Sequence, residues 1–312
     1  MLRVVHSNRV ESLLAALLEA LPPADPFAPS TIVVGSHLVA RWLRREIAFA
    51  RGIASGLELP TFERFVEHTW AEPAAGLVAI DRAQLAAVLA SVLADGAVVR
   101  KLPAVATYLA AAPDAGDRAG PRRVQLATHL ATLCWGYAAS RPDWMPALIA
   151  GHLPSELEGD PTARWQASLI AAAFARIAAS DPDRHHALGP MLPWARRRLQ
   201  LPAPTIAPIS VFGVSYLTRA QLEALSDLAA ASDVTAYLLD PCQELWDDVA
   251  GRRAAETTTD PLPLVLWGRP VRDTLASLVE RTGGDLDGRF SDDEPRTTAR
   301  ERLLADVRAR RA

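Results

Sequence analysis

The chain has 312 residues, half of them hydrophobic and 22% charged, with a formal net charge of −3. That composition fits a globular chain of roughly one to three domains, and it excludes a disordered tail, a collagen and a coiled-coil rod. The near-neutral balance supplies no global field for nucleic acid, so any such contact must come from local patches.

Residues 2–5 form a short apolar run with β-branched residues and predict a strand. Val10, Leu13, Leu14, Leu17, Leu18 and Leu21 then recur at helical spacing, with Asn8 and Glu11 as a capping box and Pro22-Pro23 as the stop. Residues 31–34 predict a second strand. After Gly35-Ser36 a helix carries Val39, Trp42, Leu43 and Ile47 on one face, and Gly52 and Gly56 punctuate its end. From about Pro60 to Leu201 the pattern is helical, with no convincing strand. Leu85, Val88, Leu89, Val92 and Leu93 make one stripe behind Asp81 as N-cap; Leu126, Leu130, Leu133, Cys134 and Tyr137 make a second; Ile170, Phe174 and Ile177 make a third. Connections rich in Pro and Gly fall at 113–121, 141–143 and 154–161, and Pro202, Pro204 and Pro208 close the block. Residues 209–214 predict a strand. Thr218 and Gln221 cap a helix carrying Leu222, Leu225 and Leu228, and 234–239 predict another strand. Residues 241–295 read as mixed, loop-like at 257–259 and 283–294, and 300–311 as an Arg-rich terminal helix.

Two strand–helix pairs flanking a helical block predict an α/β fold with a parallel sheet and a large all-helical insertion. The expected division is 1–59 for the first part of the α/β domain, 60–203 for the insertion and 204–312 for the return. Ligands of such sheets bind beyond the carboxyl ends of the strands. Here those ends carry His6-Ser7-Asn8, Gly35-Ser36-His37, Gly213-Val214-Ser215-Tyr216 and Asp240-Pro241-Cys242. Helix capping is the ordinary alternative for Asn8 and Ser36.

A phosphate-binding loop needs glycines, a Lys and a hydroxyl for magnesium. The stretch Gly35-Ser36-His37-Leu38-Val39-Ala40-Arg41-Trp42 has the position but offers Ala40, Arg41 and Trp42 where those groups belong, and the single Lys of the chain is Lys101, far away in the helical block. It reads either as a nucleotide-site scaffold without its site or as an ordinary strand–helix turn. The paired carboxylates and Lys of restriction-type nucleases are missing; Asp247-Asp248 and Asp292-Asp293-Glu294 read as solvated loops. His185-His186 reads as a surface pair on a helix, not a metal site. Cys134 and Cys242 belong to no CxxC pair, which argues against a local zinc or iron–sulfur site. No apolar run nears the ~20 residues that span a bilayer, and the N-terminus lacks a secretory pattern, which places the protein in the cytoplasm.

What remains is binding. Arg41, Arg44 and Arg45 share a helix face, Arg51 extends it, Arg141 precedes Pro142-Asp143-Trp144, and Arg196-Arg197-Arg198 form a third cluster. Guanidinium groups suit phosphate contacts, and Trp42 and Trp144 adjoin them as possible base-stacking rings. A solvated helix face is the ordinary alternative for each cluster.

Leu2-Arg3-Val4 followed by His6-Ser7-Asn8-Arg9 resembles the opening of the gamma-subunit (RecC) family of exodeoxyribonuclease V. The likeness continues in register through Asp25-Pro26-Phe27, Ala40 with Trp42-Leu43, Gly52-Ile53-Ala54, Arg141-Pro142-Asp143-Trp144, Gly151-His152-Leu153, Trp165-Gln166, Val211-Phe212-Gly213, Pro241-Cys242 with Trp246, and Leu266-Trp267-Gly268. It covers essentially the whole chain. It implies a helicase-like core, similar to domain 1A of superfamily 1 P-loop NTPases, with a 1B-like helical insertion and a decayed ATP site. Family members continue far beyond the end of this chain, which implies an N-terminal portion lacking the second helicase-like half and the nuclease-like domain.

The resemblance further implies a catalytically inactive, DNA-binding subunit of an ATP-dependent helicase–nuclease that acts in double-strand break repair. Its partners would be RecB-like and RecD-like subunits and DNA, both a duplex end and the 3′-ended single strand scanned for Chi. No cofactor is implied in this chain, ATP and magnesium being used by the partners. Carried over by position, the channel-lining residues are Gly35, Ser36, His37 and Arg41, with Arg141 from the Arg-Pro-Asp-Trp turn. The basic face adds Arg44, Arg45 and Trp144 as DNA-binding candidates. Ser36 and Arg141 keep the family residue; Gly35, His37 and Arg41 depart from the enterobacterial pattern, which leaves the Chi sequence open. The related AddB class carries a Cys-ligated iron–sulfur cluster and a complete phosphate loop, neither of which two Cys and the missing Lys allow. The competing readings are an NTPase with a degenerate but nucleotide-binding site and a protein–protein scaffold without DNA contact.

Overall fold

Runs of consecutive apolar residues dictate the first strands of the fold, because a strand covered on both faces has no polar side to show. The structure is a computed structural model describing residues 1–110, 119–242, 263–264, 268–283, 286–291 and 297–310. The chain begins with β1 (Leu2–Ser7), α1 (Val10–Ala20), β2 (Ser30–Val34), α2 (His37–Arg51), β3 (Leu57–Glu58) and α3 (Phe62–Trp70). It continues with β4 (Leu77–Ile80), α4 (Arg82–Leu93), α5 (Gly96–Val99), α6 (Pro103–Ala110), α7 (Ala119–Ser140), α8 (Met145–Ile149), α9 (Pro161–Ser180), β5 (His185–Leu188) and α10 (Leu192–Arg198). It closes with β6 (Ile209–Phe212), α11 (Arg219–Ala231), β7 (Val234–Leu239), α12 (Arg269–Thr282), β8 (Leu286–Gly288) and α13 (Ala299–Arg308). Two compact units result: Met1–Phe65 with Ala203–Ala312, and Val66–Pro202.

The first unit is α/β. Its sheet has the order β3-β2-β6-β7-β1-β8, and every neighbouring pair is parallel. Val5, Ile32, Val34, Phe212 and Tyr237 form one buried face, covered by Leu13, Leu17 and Leu21 at α1 and by Leu43 and Ile47 of α2. Val4, Val33, Val211 and Ala236 are buried as completely on the other face, and α11 and α12 pack against β1. Each such apolar side chain contributes about 1.5–3 kcal/mol by leaving water, so the sheet is held mainly by burial. Arg51 does not extend the basic face of α2. Its guanidinium donates to the carbonyls of Leu18, Leu21 and Pro22, each at 2.8 Å, and so satisfies the carboxyl end of α1.

Several expectations are corrected. Asn8 does not cap α1, whose N-cap is Arg9 with no side-chain bond. The Asn8 amide instead exchanges two hydrogen bonds with the Ser291 backbone, both 3.2 Å. Within the loop-like stretch 283–294, residues 286–288 form β8, which extends the sheet beside β1. The expected loops at 257–259, 247–248, 292–294 and most of 113–121, as well as Trp246, Leu266 and Trp267, lie outside the described residues.

The second unit is helical, with α4 packed on α7 and α9. Leu85, Leu89, Val92, Leu130, Cys134, Ile170, Phe174 and Ile177 are buried there, and the Asp81–Gln84 capping box opens α4. It is not free of strands. β4 and β5 pair in parallel as a two-stranded sheet, from Leu77 opposite His185 to Ile80 opposite Leu188. His185-His186 therefore lies on a strand, not a helix. β4 is a short apolar run that reads equally as a piece of helix, and β5 opens on two histidines, so neither is marked as a strand.

Arg196 is another correction, since it is buried, not part of a basic patch. Its guanidinium donates to the carbonyls of Trp70 (3.2 Å) and Pro202 and pairs with Glu72 at 3.5 Å. Arg197 and Arg198 are exposed, with Arg198 lying over the Trp194 ring.

Candidate nucleic-acid interface

In a parallel sheet the loops after all strands leave one edge, so those after β1, β2, β6 and β7 lie together at the carboxyl edge. The chain leaves β2 toward β3 on one side and leaves β6 toward β7 on the other. Such a divergence opens a crevice, where nucleotides sit in open α/β sheets. Here the loops after β2 and β6 touch across it. A Cβ on Gly35 would lie 2.9 Å from the Gly213 carbonyl oxygen, and one on Gly213, whose φ is +69°, would lie 2.8 Å from Val39 Cγ1. Only glycine allows the two backbones this contact. Trp42, half-buried, stacks on Phe212 at 6.1 Å. Its ring serves the core rather than a base.

The edge after β1 is tied down by side chains. Buried His6 Nδ1 lies 3.0 Å from Asp240 Oδ2, and Asp240 Oδ1 accepts from the Cys242 amide at 3.2 Å. The buried Ser7 hydroxyl donates to the Arg289 carbonyl at 2.6 Å and accepts from the Arg9 amide at 3.1 Å. Phe290 meets the His6 ring edge-on at 5.0 Å.

α2 starts at this edge. Ser36 caps it, accepting from the Val39 amide at 3.3 Å. Leu43 and Ile47 point into the core, which turns Arg41, Arg44 and Arg45 outward, all exposed. Gly35 and His37 are exposed at its start. Arg45 pairs with Glu46 at 2.7 Å. Among the described residues Arg41 and Arg44 have neither an ion pair nor a hydrogen bond. Of the candidate residues, His37, Arg41, Arg44 and Arg45 thus lie on α2, and Gly35 and Ser36 lead directly into it. Tyr216, in the loop after β6, is more than half exposed; the sequence places it in an edge loop but cannot show its exposure.

Arg141 and Trp144 sit in the other unit and form a closed clamp. Arg141 Nε and Nη2 grip Asp143 at 2.8–3.2 Å, Nη2 also reaches Glu156 at 2.8 Å, and the guanidinium lies 4.0 Å above the Trp144 ring. The hydrogen bonds that Arg141 donates to Asp143 and then to Glu156 push its pKa up and hold it charged. The same Arg141 bond holds the Glu156 carboxyl down at about 2. The Trp144 indole N–H also helps hold it low, although it meets no acceptor at hydrogen-bond geometry. Burial pushes the Cys134 thiol up to about 12, too high for thiolate chemistry. Among the described residues no three His, Cys, Asp or Glu side chains gather as metal ligands, and no helix is long and apolar enough to cross a membrane.

The family model for RecC, N-terminal domain, matches residues 2–310. The chain is similar to the RecBCD enzyme subunit RecC of Haemophilus influenzae, 25% identical over 276 residues, or 80% of this chain and 24% of that protein. Its counterpart in Escherichia coli K12 is 27% identical over 80% of this chain and 22% of its own length. That of Mycobacterium tuberculosis is 28% identical over 81% and 24%. The chain spans about a quarter of the length of these relatives. With a family match along nearly every residue, on a parallel α/β sheet interrupted by a helical unit, the chain belongs to the RecC family, as its N-terminal domain.

Proposed function

We propose that this chain is a non-catalytic, DNA-binding part of a RecBCD-type exodeoxyribonuclease V, working with RecB-like and RecD-like subunits in double-strand break repair. Its sheet is read as a helicase-type nucleotide framework, like domain 1A of superfamily 1 with a 1B-like insertion, that no longer grips phosphates. The close Gly35–Gly213 approach supports this, because it draws together the two loops between which a nucleotide would sit. The observation that carries the reading is the outer face of α2, which starts at the carboxyl edge and carries exposed Arg41 and Arg44 with no ion pair among the described residues. A single strand passing there, 3′-ended and scanned for Chi, would lay phosphates on these guanidinium groups. Gly35, Ser36, His37 and Arg45 complete that face. Arg141, in the other unit, is read as a separate and weaker contact, since Asp143 and Glu156 already compensate its charge.

The test is the affinity of the purified chain for a single-stranded oligonucleotide across a salt series. Each phosphate contact removed should lower the slope of log affinity against log salt by about 0.7 for a single strand. Arg41→Ala and Arg44→Ala are each expected to do so, and Arg141→Ala to change it less. Affinity and slope unchanged in both α2 variants would overturn the assignment.

A further inference from the structure

The loop after β6, Gly213-Val214-Ser215-Tyr216-Leu217, has its backbone fixed on two sides. At its start Gly213 meets Val39 and Gly35, and a Cβ on Gly35 would lie 3.8 Å from the Val214 Cα. At its end the Leu217 amide donates to the Thr274 hydroxyl at 2.9 Å, and that hydroxyl donates in turn to the Pro270 carbonyl at 2.8 Å. Val214 and Leu217 are both buried. Between these anchors Ser215 and Tyr216 face outward, and Tyr216 leaves 56% of its surface in solvent.

A tyrosine gains much by burial, and a rigid loop with apolar residues on both sides could have turned it inward. Among the described residues Tyr216 has no hydrogen-bond or ring partner. It projects from a loop laid against the first turn of α2, where His37 and Leu38 are also exposed and the unpaired Arg41 follows one turn on. An exposed aromatic ring on an anchored backbone, in a loop packed on the helix that carries an unpaired guanidinium, is a combination that suits single-stranded nucleic acid, the ring taking a base face and the cation a phosphate.

We propose that Tyr216 is a base-stacking platform for the single strand carried by α2, one base resting on its ring while the adjoining phosphate meets Arg41. The proposal rests on the reading that α2 binds a single strand, and it adds a contact of a different kind. Stacking exchanges no counterion, so its loss weakens binding without altering salt dependence, whereas loss of Arg41 alters both.

Binding of a single-stranded oligonucleotide containing 2-aminopurine, followed by affinity and by base emission, separates the two. Tyr216→Ala should bind about five-fold or more weakly, from the usual worth of one stacked base. It should also keep the wild-type salt slope and lose the emission change seen on binding. Tyr216→Phe keeps the ring and should behave as wild type. If Tyr216→Ala binds like wild type with the full emission change while Arg41→Ala still lowers the slope, the stacking role is wrong and the α2 reading stands. If Tyr216→Phe falls as far as Tyr216→Ala, the hydroxyl rather than the ring is at work, and the proposal fails. If the unaltered chain binds no oligonucleotide, both ideas fall.

Discussion

Arg141 serves two carboxylates and an indole ring at once, and its place directly before Pro142-Asp143-Trp144 is what permits this. The chain turns at once after α7, so Asp143 and Trp144 fold back on the guanidinium, and Glu156 arrives from fifteen residues on. Adjacent residues made the Arg–Trp pairing legible. Glu156 was not, because nothing local marks it as a partner. The clamp has a pH signature. Glu156 titrates at about 2 in the folded chain against an ordinary 4.5, so its stabilising contribution is whole above 4.5 and is lost as pH falls through 2. Glu156→Gln should therefore lower the melting temperature modestly at pH 6, by an amount that shrinks as pH falls and vanishes near 2. Equal lowering at every pH would show that the loss is steric rather than electrostatic. Asn8 makes the same point about range: its partner Ser291 is 283 positions away, and a capping motif was the only role its neighbours could suggest.

At the scale of elements, much of the first unit was legible because apolar residues run together or recur at helical spacing, whereas α12 fell in a stretch read only as mixed. β1, β2, β6 and β7 follow from buried runs, and α1 and α2 from helical spacing. β3, β4, β5 and β8 were not: β3 has two residues, β5 and β8 mix polar residues into four and three, and β4, an apolar run of four, stands among helical stripes. The outward Arg face of α2 could be counted from the sequence, but the loop that packs against its first turn could not. That packing depends on Gly213. A methyl group there would meet Val39 Cγ1 at 2.8 Å and be forced to a φ of +69°. Gly213→Ala should lower stability by about 1–3 kcal/mol from overpacking alone. Val39→Ala added to it should recover part of the loss. Denaturant unfolding checks both, and additive losses in the double variant would mean that the two residues do not meet. Tyr216 stayed hidden for a related reason. A lone aromatic in a turn has no period to betray which way it faces.

For the molecule as a whole, order along the chain and order in the sheet are unrelated. β1 lies between β7 and β8, which come more than two hundred residues later, and its register with β7 runs from Leu2 opposite Val234 to Ser7 opposite Leu239. The α/β unit therefore cannot close until the helical stretch has been made. All six of its strands nonetheless come from Met1–Phe65 and Ala203–Ala312. Replacing residues 66–202 by a short Gly/Ser linker should leave that sheet cooperative. A single thermal transition with strand-type circular dichroism would be the expected outcome; a chain with no transition would show that the insert is needed for folding.

The side chain of Arg196 gives this modularity a physical basis. One guanidinium holds the carbonyls of Trp70 and Pro202, so the way into the helical unit and the way out of it share a single doorway. A segment whose two ends meet at one doorway can lengthen, shorten or change its surface over generations while the strands of the parallel sheet keep their register.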